Sequence, residues 1–228
     1  MYIYSKYNRE ERNLCSHLFR LLLMDAPNYE PLKMFIGDDD LTNPRIFSEV
    51  ALLRDAYFVR KPDINDFLDK LCMLVAKQEN LEKIIKYSSL PSELRTHPRQ
   101  IRAKAKKKNI ILSVDDNILY LRIQNMFNAK PDLVICYNNT LIIYEAKYTL
   151  GFNKTQLERT GKMGKIWKEL LYKDLGFDKK PKLQIRKLGL EKYKPDISWP
   201  KVKEIASEYL PENDLSLEAF INAVENNI

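Results

Sequence analysis

The stretch "AKPDLVICYNNTLIIYEAK", residues 129–147, decides how the chain is read. Its apolar runs, 133–137 and 140–144, are separated by Asn138-Asn139 alone. Asparagine tolerates positive φ better than other non-glycine residues, so two of them suit a primed hairpin turn. A two-residue turn fixes the register. Tyr137 then faces Thr140, Cys136 faces Leu141, Ile135 faces Ile142, Val134 faces Ile143 and Leu133 faces Tyr144. One step further, Asp132 faces Glu145, with Cβ atoms about 4.5–5.5 Å apart. Side chains alternate along a strand, so Lys147 shares their face.

Two directly opposed carboxylates destabilise a sheet. On a hairpin that is otherwise apolar, desolvation adds to the cost. A cation must compensate. A divalent metal bridging Asp132 and Glu145 would do so, and hard oxygen donors select Mg2+ or Mn2+ over zinc. The chain has only two histidines, His17 and His97, which also argues against a zinc site. The second reading makes Lys147 itself the neutralising partner in a partly buried ion cluster.

Around this hairpin, 228 residues allow one sizeable domain or a core with a helical extension. With 45% hydrophobic and 30% charged residues, the composition is that of a soluble globular protein. The apolar run 18–24 is too short to cross a bilayer, and the N-terminus lacks the apolar core of a secretory signal. Cys15, Cys72 and Cys136 are far apart and form no C-x-x-C pair, which predicts free buried thiols and a cytoplasmic protein. The net charge is +7. No acid occurs from Leu94 to Val114, where Arg95, Arg99, Arg102, Lys104, Lys106, Lys107 and Lys108 crowd together. Such a segment is the footprint of a polyanion partner, or else a solvated helix face.

Periodicity predicts a mixed α/β protein with a helical N-terminal portion over 1–108, a core over 109–190 and helices over 191–228. Leu14, Leu18, Leu21 and Leu22 form one helical stripe. Asn43 as cap and Pro44 as first residue predict a helix through Phe58. Residues 63–87 read as one or two helices, and 98–108 as a short basic helix capped by Thr96 or His97. "NIILSV" and "ILYLRIQ" read as strands flanking a turn at Asp115-Asp116-Asn117. A helix follows the hairpin, with Leu157, Ile166, Leu170 and Leu171 inward and Gly176 closing it. A strand at 181–190 and two final helices, the first capped by Ser198, complete the chain. "GKMG" at 161–164 falls in helical register, which excludes a KH loop, and "TGKMGK" lacks the spacing of a phosphate loop.

Pro131-Asp132 at the start of one strand and Glu145-Ala146-Lys147 at the end of the next resemble the signature of the PD-(D/E)xK nuclease superfamily. Pro62-Asp63, Pro195-Asp196 and Asp178-Lys179-Lys180 match parts of the pattern without the hairpin. The resemblance covers 109–190 and implies a restriction-endonuclease-like core, a central mixed β-sheet flanked by helices. It implies that Asp132, Glu145 and the carbonyl of Ala146 hold Mg2+ or Mn2+ while Lys147 orients the attacking water. Gln156, in the helix after the hairpin, corresponds to a glutamine that lies near the active site in RecB-like members. A further acidic ligand from a preceding helix would be Glu49, favoured because it lies mid-helix beside the apolar face, or Glu11.

The expected function is a metal-dependent nuclease hydrolysing phosphodiester bonds, of DNA more than RNA, in restriction, defence or repair. Arg99, Arg102, Lys104, Lys106, Lys162 and Lys165 are the expected contacts to nucleic acid, with Lys168 beside them. No membrane partner is expected. A homodimer is kept open, since small nucleases that cut both strands often pair. The alternatives are a non-cleaving nucleic-acid-binding module on the same fold and a structural protein with an internal ion network.

Overall fold

The computed structural model describes residues 11–60, 63–148, 151–209, 220, 221 and 224, with the side chains of 11–13 excepted. Among the described residues the α-helices are α1 (Glu11–Leu22), α2 (Glu30–Ile36), α3 (Leu52–Val59), α4 (Ile64–Glu79), α5 (Ile101–Lys107), α6 (Val114–Asn128), α7 (Lys154–Leu170) and α8 (Trp199–Tyr209). The strands are β1 (Arg45–Ser48), β2 (Leu133–Tyr137), β3 (Thr140–Ala146), β4 (Lys182–Gly189) and β5 (Ile197–Ser198). They form one mixed sheet in the order β1-β2-β3-β4-β5, antiparallel from β1 to β3 and parallel from β3 to β5. The protein is mixed α/β. Among the described residues no helix is long and apolar enough to cross a membrane.

The hairpin pairs as its sequence requires: all five partners from Leu133↔Tyr144 to Tyr137↔Thr140 are those set by a two-residue turn. Asn138 takes φ 47° and Asn139 stays at negative φ, whereas a type I′ turn needs positive φ at both. The Asn138 carboxamide has a second task. Its Oδ1 accepts from Thr42 N at 2.7 Å, and its Nδ2 donates to Asp40 O at 2.6 Å. The turn is thereby tied to the chain entering β1.

Two compact units emerge from the contacts. The first comprises 1–50, 131–161 and 181–228; the second comprises 51–130 and 162–180. The first unit holds the whole sheet. One sheet face carries Leu133, Ile135, Tyr137, Ile142, Tyr144, Ala146 and Leu188, packed with Leu14, Leu18, Leu21 and Leu22 of α1, Leu32 and Phe35 of α2, and Trp199, Val202 and Ile205 of α8. The predicted leucine stripe of α1 is thus a core stripe. The second final helix lies almost wholly outside the described residues; of it Phe220, Ile221 and Val224 are described, and they are helical.

The second unit is helical among its described residues, and two expectations are corrected around it. The strands expected on either side of Asp115-Asp116-Asn117 are instead a loop and helix α6. Ser113 caps that helix: its Oγ accepts from Asp116 N at 3.1 Å, and its hydroxyl donates to Asp116 Oδ2 at 2.7 Å. The Ser113 side chain thus satisfies a free N–H of the helix start, with the acids in the first turn, where the helix dipole favours them. Asp116 Oδ1 also accepts from Ile85 N, while Asp115 accepts from Glu82 N and Lys83 N. Leu119, Ile123, Met126 and Phe127 supply the buried helical stripe.

The helix expected from Pro44 to Phe58 is divided. Residues 45–48 form β1, paired with Leu133–Cys136, and helix begins only at Leu52. Asn43 has φ 47°, a turn conformation that an N-cap does not adopt. Glu49 therefore does not lie mid-helix; it follows β1 with φ 49°. Elsewhere α4 covers only 64–79 of its expected stretch and residues 80–86 are not helical; the basic segment is a 3-10 turn at Pro98–Gln100 followed by α5, and α7 is in place. His97 Nδ1 accepts from Arg99 N at the start of the 3-10 turn before α5. On α7, Ile166 and Leu171 are buried, Leu157 and Leu170 are half-buried, and Met163 and Trp167 join the core. All three cysteines are free and buried, and burial pushes the thiols of Cys72 and Cys136 up to about 12.

Candidate active site

Asp132 precedes β2, and Glu145 lies one residue from the end of β3, so both stand at the same end of the sheet. Alternation puts Asp132, Glu145 and Lys147 on the face opposite Leu133, Tyr144 and Ala146. The Asp132 carboxylate reaches across the hairpin. Its Oδ2 accepts from Ala146 N at 2.7 Å, which continues the ladder by side chain where β2 has not yet begun. Asp132 is half-buried and Glu145 is 7% exposed.

Helix α7 orients Glu145. Gln156 Nε2 donates to Glu145 Oε2 at 2.6 Å, and one turn further along Thr160 donates its hydroxyl to Oε1. Residues at i and i+4 share a helix face, so the pair fixes both carboxylate oxygens from one side. Gln156 thus lies against Glu145. Thr160, 6% exposed, was missed; its signal was the four-residue spacing from Gln156.

Lys147 is held through its backbone. Its N–H donates to Leu188 O at 2.8 Å, and its carbonyl accepts from the buried Trp199 Nε1 at 3.0 Å. Gly189 makes room beside it, since a Cβ there would stand 2.9 Å from the Phe152 ring and 3.3 Å from Lys147 O. The Lys147 side chain is half-buried.

Glu49 enters from the neighbouring strand. Its N–H donates to Asp132 O at 3.4 Å, and the Ser48 hydroxyl donates to the same carbonyl. Strand register thus sets Glu49, Asp132 and Glu145 side by side at the ends of β1, β2 and β3. Glu11 opens α1, and its side chain lies outside the described ones. Among the described residues no three His, Cys, Asp or Glu side chains converge as a metal-holding group. The oxygen set at this sheet end is Asp132, Glu145 and the main chain of Ala146. Each carboxylate oxygen accepts more than one bond, so oxygens that already take protein donors keep capacity for a cation.

The basic residues separate into different roles. Arg99 and Lys106 are exposed, and Lys104 is half-buried. Arg102 is half-buried, with a buried Nε that has no hydrogen-bond partner among the described residues. Lys165 is exposed on α7. Lys162 is engaged internally: its Nζ lies 2.6 Å from Glu79 Oε1, while Arg122 Nε lies 3.1 Å from Oε2. Burial alone would push Glu79 up, but the hydrogen bond from Lys162 and the charge of Arg122 hold its carboxyl below the ordinary value. No local pattern announces this triad, whose cations lie 43 and 83 residues from Glu79 along the chain.

No protein-family model, curated protein or solved structure matches the chain.

Proposed function

We propose that the protein is a metal-dependent nuclease of the PD-(D/E)xK type, acting on DNA more than RNA. The observation that carries the proposal is the joint placement of Asp132 and Glu145 at one sheet end, with Glu145 aimed by Gln156 and Thr160 and Lys147 on the same face. The all-oxygen donor set suits Mg2+ or Mn2+.

When bound, such an ion lowers the pKa of a water and offsets charge on the scissile phosphate. Asp132 and Glu145 would hold it, with the Ala146 carbonyl. Gln156 and Thr160 restrain Glu145 against rotation. Trp199 and Leu188 fix the Lys147 backbone, which lets its ammonium orient the nucleophile and donate a hydrogen bond to the phosphate.

A second reading is a nucleic-acid-binding module that does not cut. It is favoured by the protein donors already on Asp132 and Glu145 and by the lack of a third converging carboxylate. Incubating wild type and Lys147→Ala with double-stranded DNA, single-stranded DNA and RNA, in Mg2+, Mn2+ or EDTA, separates the two. Metal-dependent cutting by wild type alone is expected. Salt-sensitive binding without cutting under any condition would establish the second reading.

A further inference from the structure

The apolar run "IILSV", 110–114, reads as part of a strand, yet the structure leaves Ile111 and Val114 at the surface. Ile111 is 96% exposed, the highest value among the exposed large hydrophobic residues, and Val114 is 77% exposed. Before them stand Lys106, Lys107 and Lys108, all exposed. Lys106 and Lys107 pair with no carboxylate among the described residues, and Lys108 lies in the field of Glu93 without an ion pair.

The loop is built firmly. Helix α5 ends in a Schellman motif, with Asn109 at φ 54°, Ile110 N–H donating to Ala105 O at 3.0 Å and Asn109 N–H donating to Lys106 O at 3.3 Å. On the other side, Asn117 Nδ2 donates to Leu112 O and Ser113 O. Ile111 is thus presented between two capped helix ends, and its exposure is not that of a frayed segment.

We propose that this α5–α6 loop is a contact to duplex nucleic acid, with Lys106, Lys107 and Lys108 on phosphates and Ile111 wedged against a base step. Short apolar wedges flanked by cations are how minor-groove proteins unstack and bend a duplex. The charge argues for a polyanion: the second unit carries 22 Lys and Arg against 12 Asp and Glu. An anionic lipid surface would need a broader apolar face. Helix α5 turns its own apolar residues, Ile101 and Ala105, inward, so it offers none. The inference shares with the proposed function only its class of ligand, and its test requires no cleavage.

The test uses the full chain in EDTA with a mixed-sequence duplex carrying 2-aminopurine at a TA step. Wild type should raise the fluorescence on binding, and Ile111→Leu should preserve the rise. Ile111→Ser should abolish it and weaken binding several-fold, with the salt dependence unchanged. The Lys106, Lys107 and Lys108→Gln triple variant should lower the slope of log affinity against log salt by about 2–3. The proposal is overturned if wild type leaves the duplex unbound, if Ile111→Ser still unstacks the step, or if the triple variant keeps the wild-type slope. Preference of wild type for phosphatidylserine vesicles over the duplex would also overturn it.

Discussion

The two units differ in charge as sharply as in structure. The first carries 16 Lys and Arg against 19 Asp and Glu and owns every described strand; the second carries 22 against 12 and owns none. The net +7 of the chain conceals a mildly acidic sheet unit and a strongly basic helical one. Carboxylates gathered at a sheet end attract a cation, whereas lysines at a helix end attract phosphate. Holding a metal and holding a polyanion impose opposite charge demands, and on the proposed reading this chain would meet them in separate groups of residues.

The sharpest way to break that comparison is to damage one unit and measure the function assigned to the other. Lys147→Ala and Glu145→Gln should each lower single-turnover cleavage by about 100-fold or more, within the usual range for general acid–base and metal-site groups. Duplex affinity in EDTA should change less than twofold. A comparable loss of affinity would merge the two roles. The next effect is smaller: Gln156→Ala or Thr160→Val should reduce cleavage about 10- to 100-fold while metal affinity falls in step, because these residues act by aiming Glu145.

Two stability measurements sharpen the comparison inside the basic unit. Ser113→Ala removes the cap of α6 and should cost about 1 kcal/mol in urea unfolding. Smaller still is the Glu79 effect, since Lys162 and Arg122 are 43% and 37% exposed and solvent screens the pair. The Glu79 carboxyl sits below its ordinary 4.5 when folded. Its stabilisation is therefore present above pH 4.5 and is lost as the pH falls through the folded value. Glu79→Gln should lower the melting temperature slightly at neutral pH, with the difference from wild type shrinking as the pH falls below 4.5.

How much was legible depended on the distance over which the deciding contact acts. The hairpin was legible in full because its register follows from a two-residue turn and a period of two, both local. The shared face of Asp132, Glu145 and Lys147 came with it. Strand β1 was not legible, because residues 45–48 become a strand only by pairing with 133–136, more than eighty positions away. Helix α6 was legible in principle. Ser113 followed by Asp115 and Asp116 spells a helix start, and Leu119, Ile123, Met126 and Phe127 keep helical spacing, but a polar Asp-Asp-Asn group between apolar runs imitates a turn. The Glu79 triad was beyond local reasoning.

Direct metal binding tests the central claim most closely. Mn2+ titrated into the full chain and followed by electron paramagnetic resonance reads occupancy without requiring turnover. Saturable binding by wild type is expected, abolished in Asp132→Asn and Glu145→Gln and retained in the Lys106, Lys107 and Lys108→Gln triple variant. Mn2+ binding that persists in both carboxylate variants, or is absent from wild type, would contradict a metal site at the ends of β2 and β3.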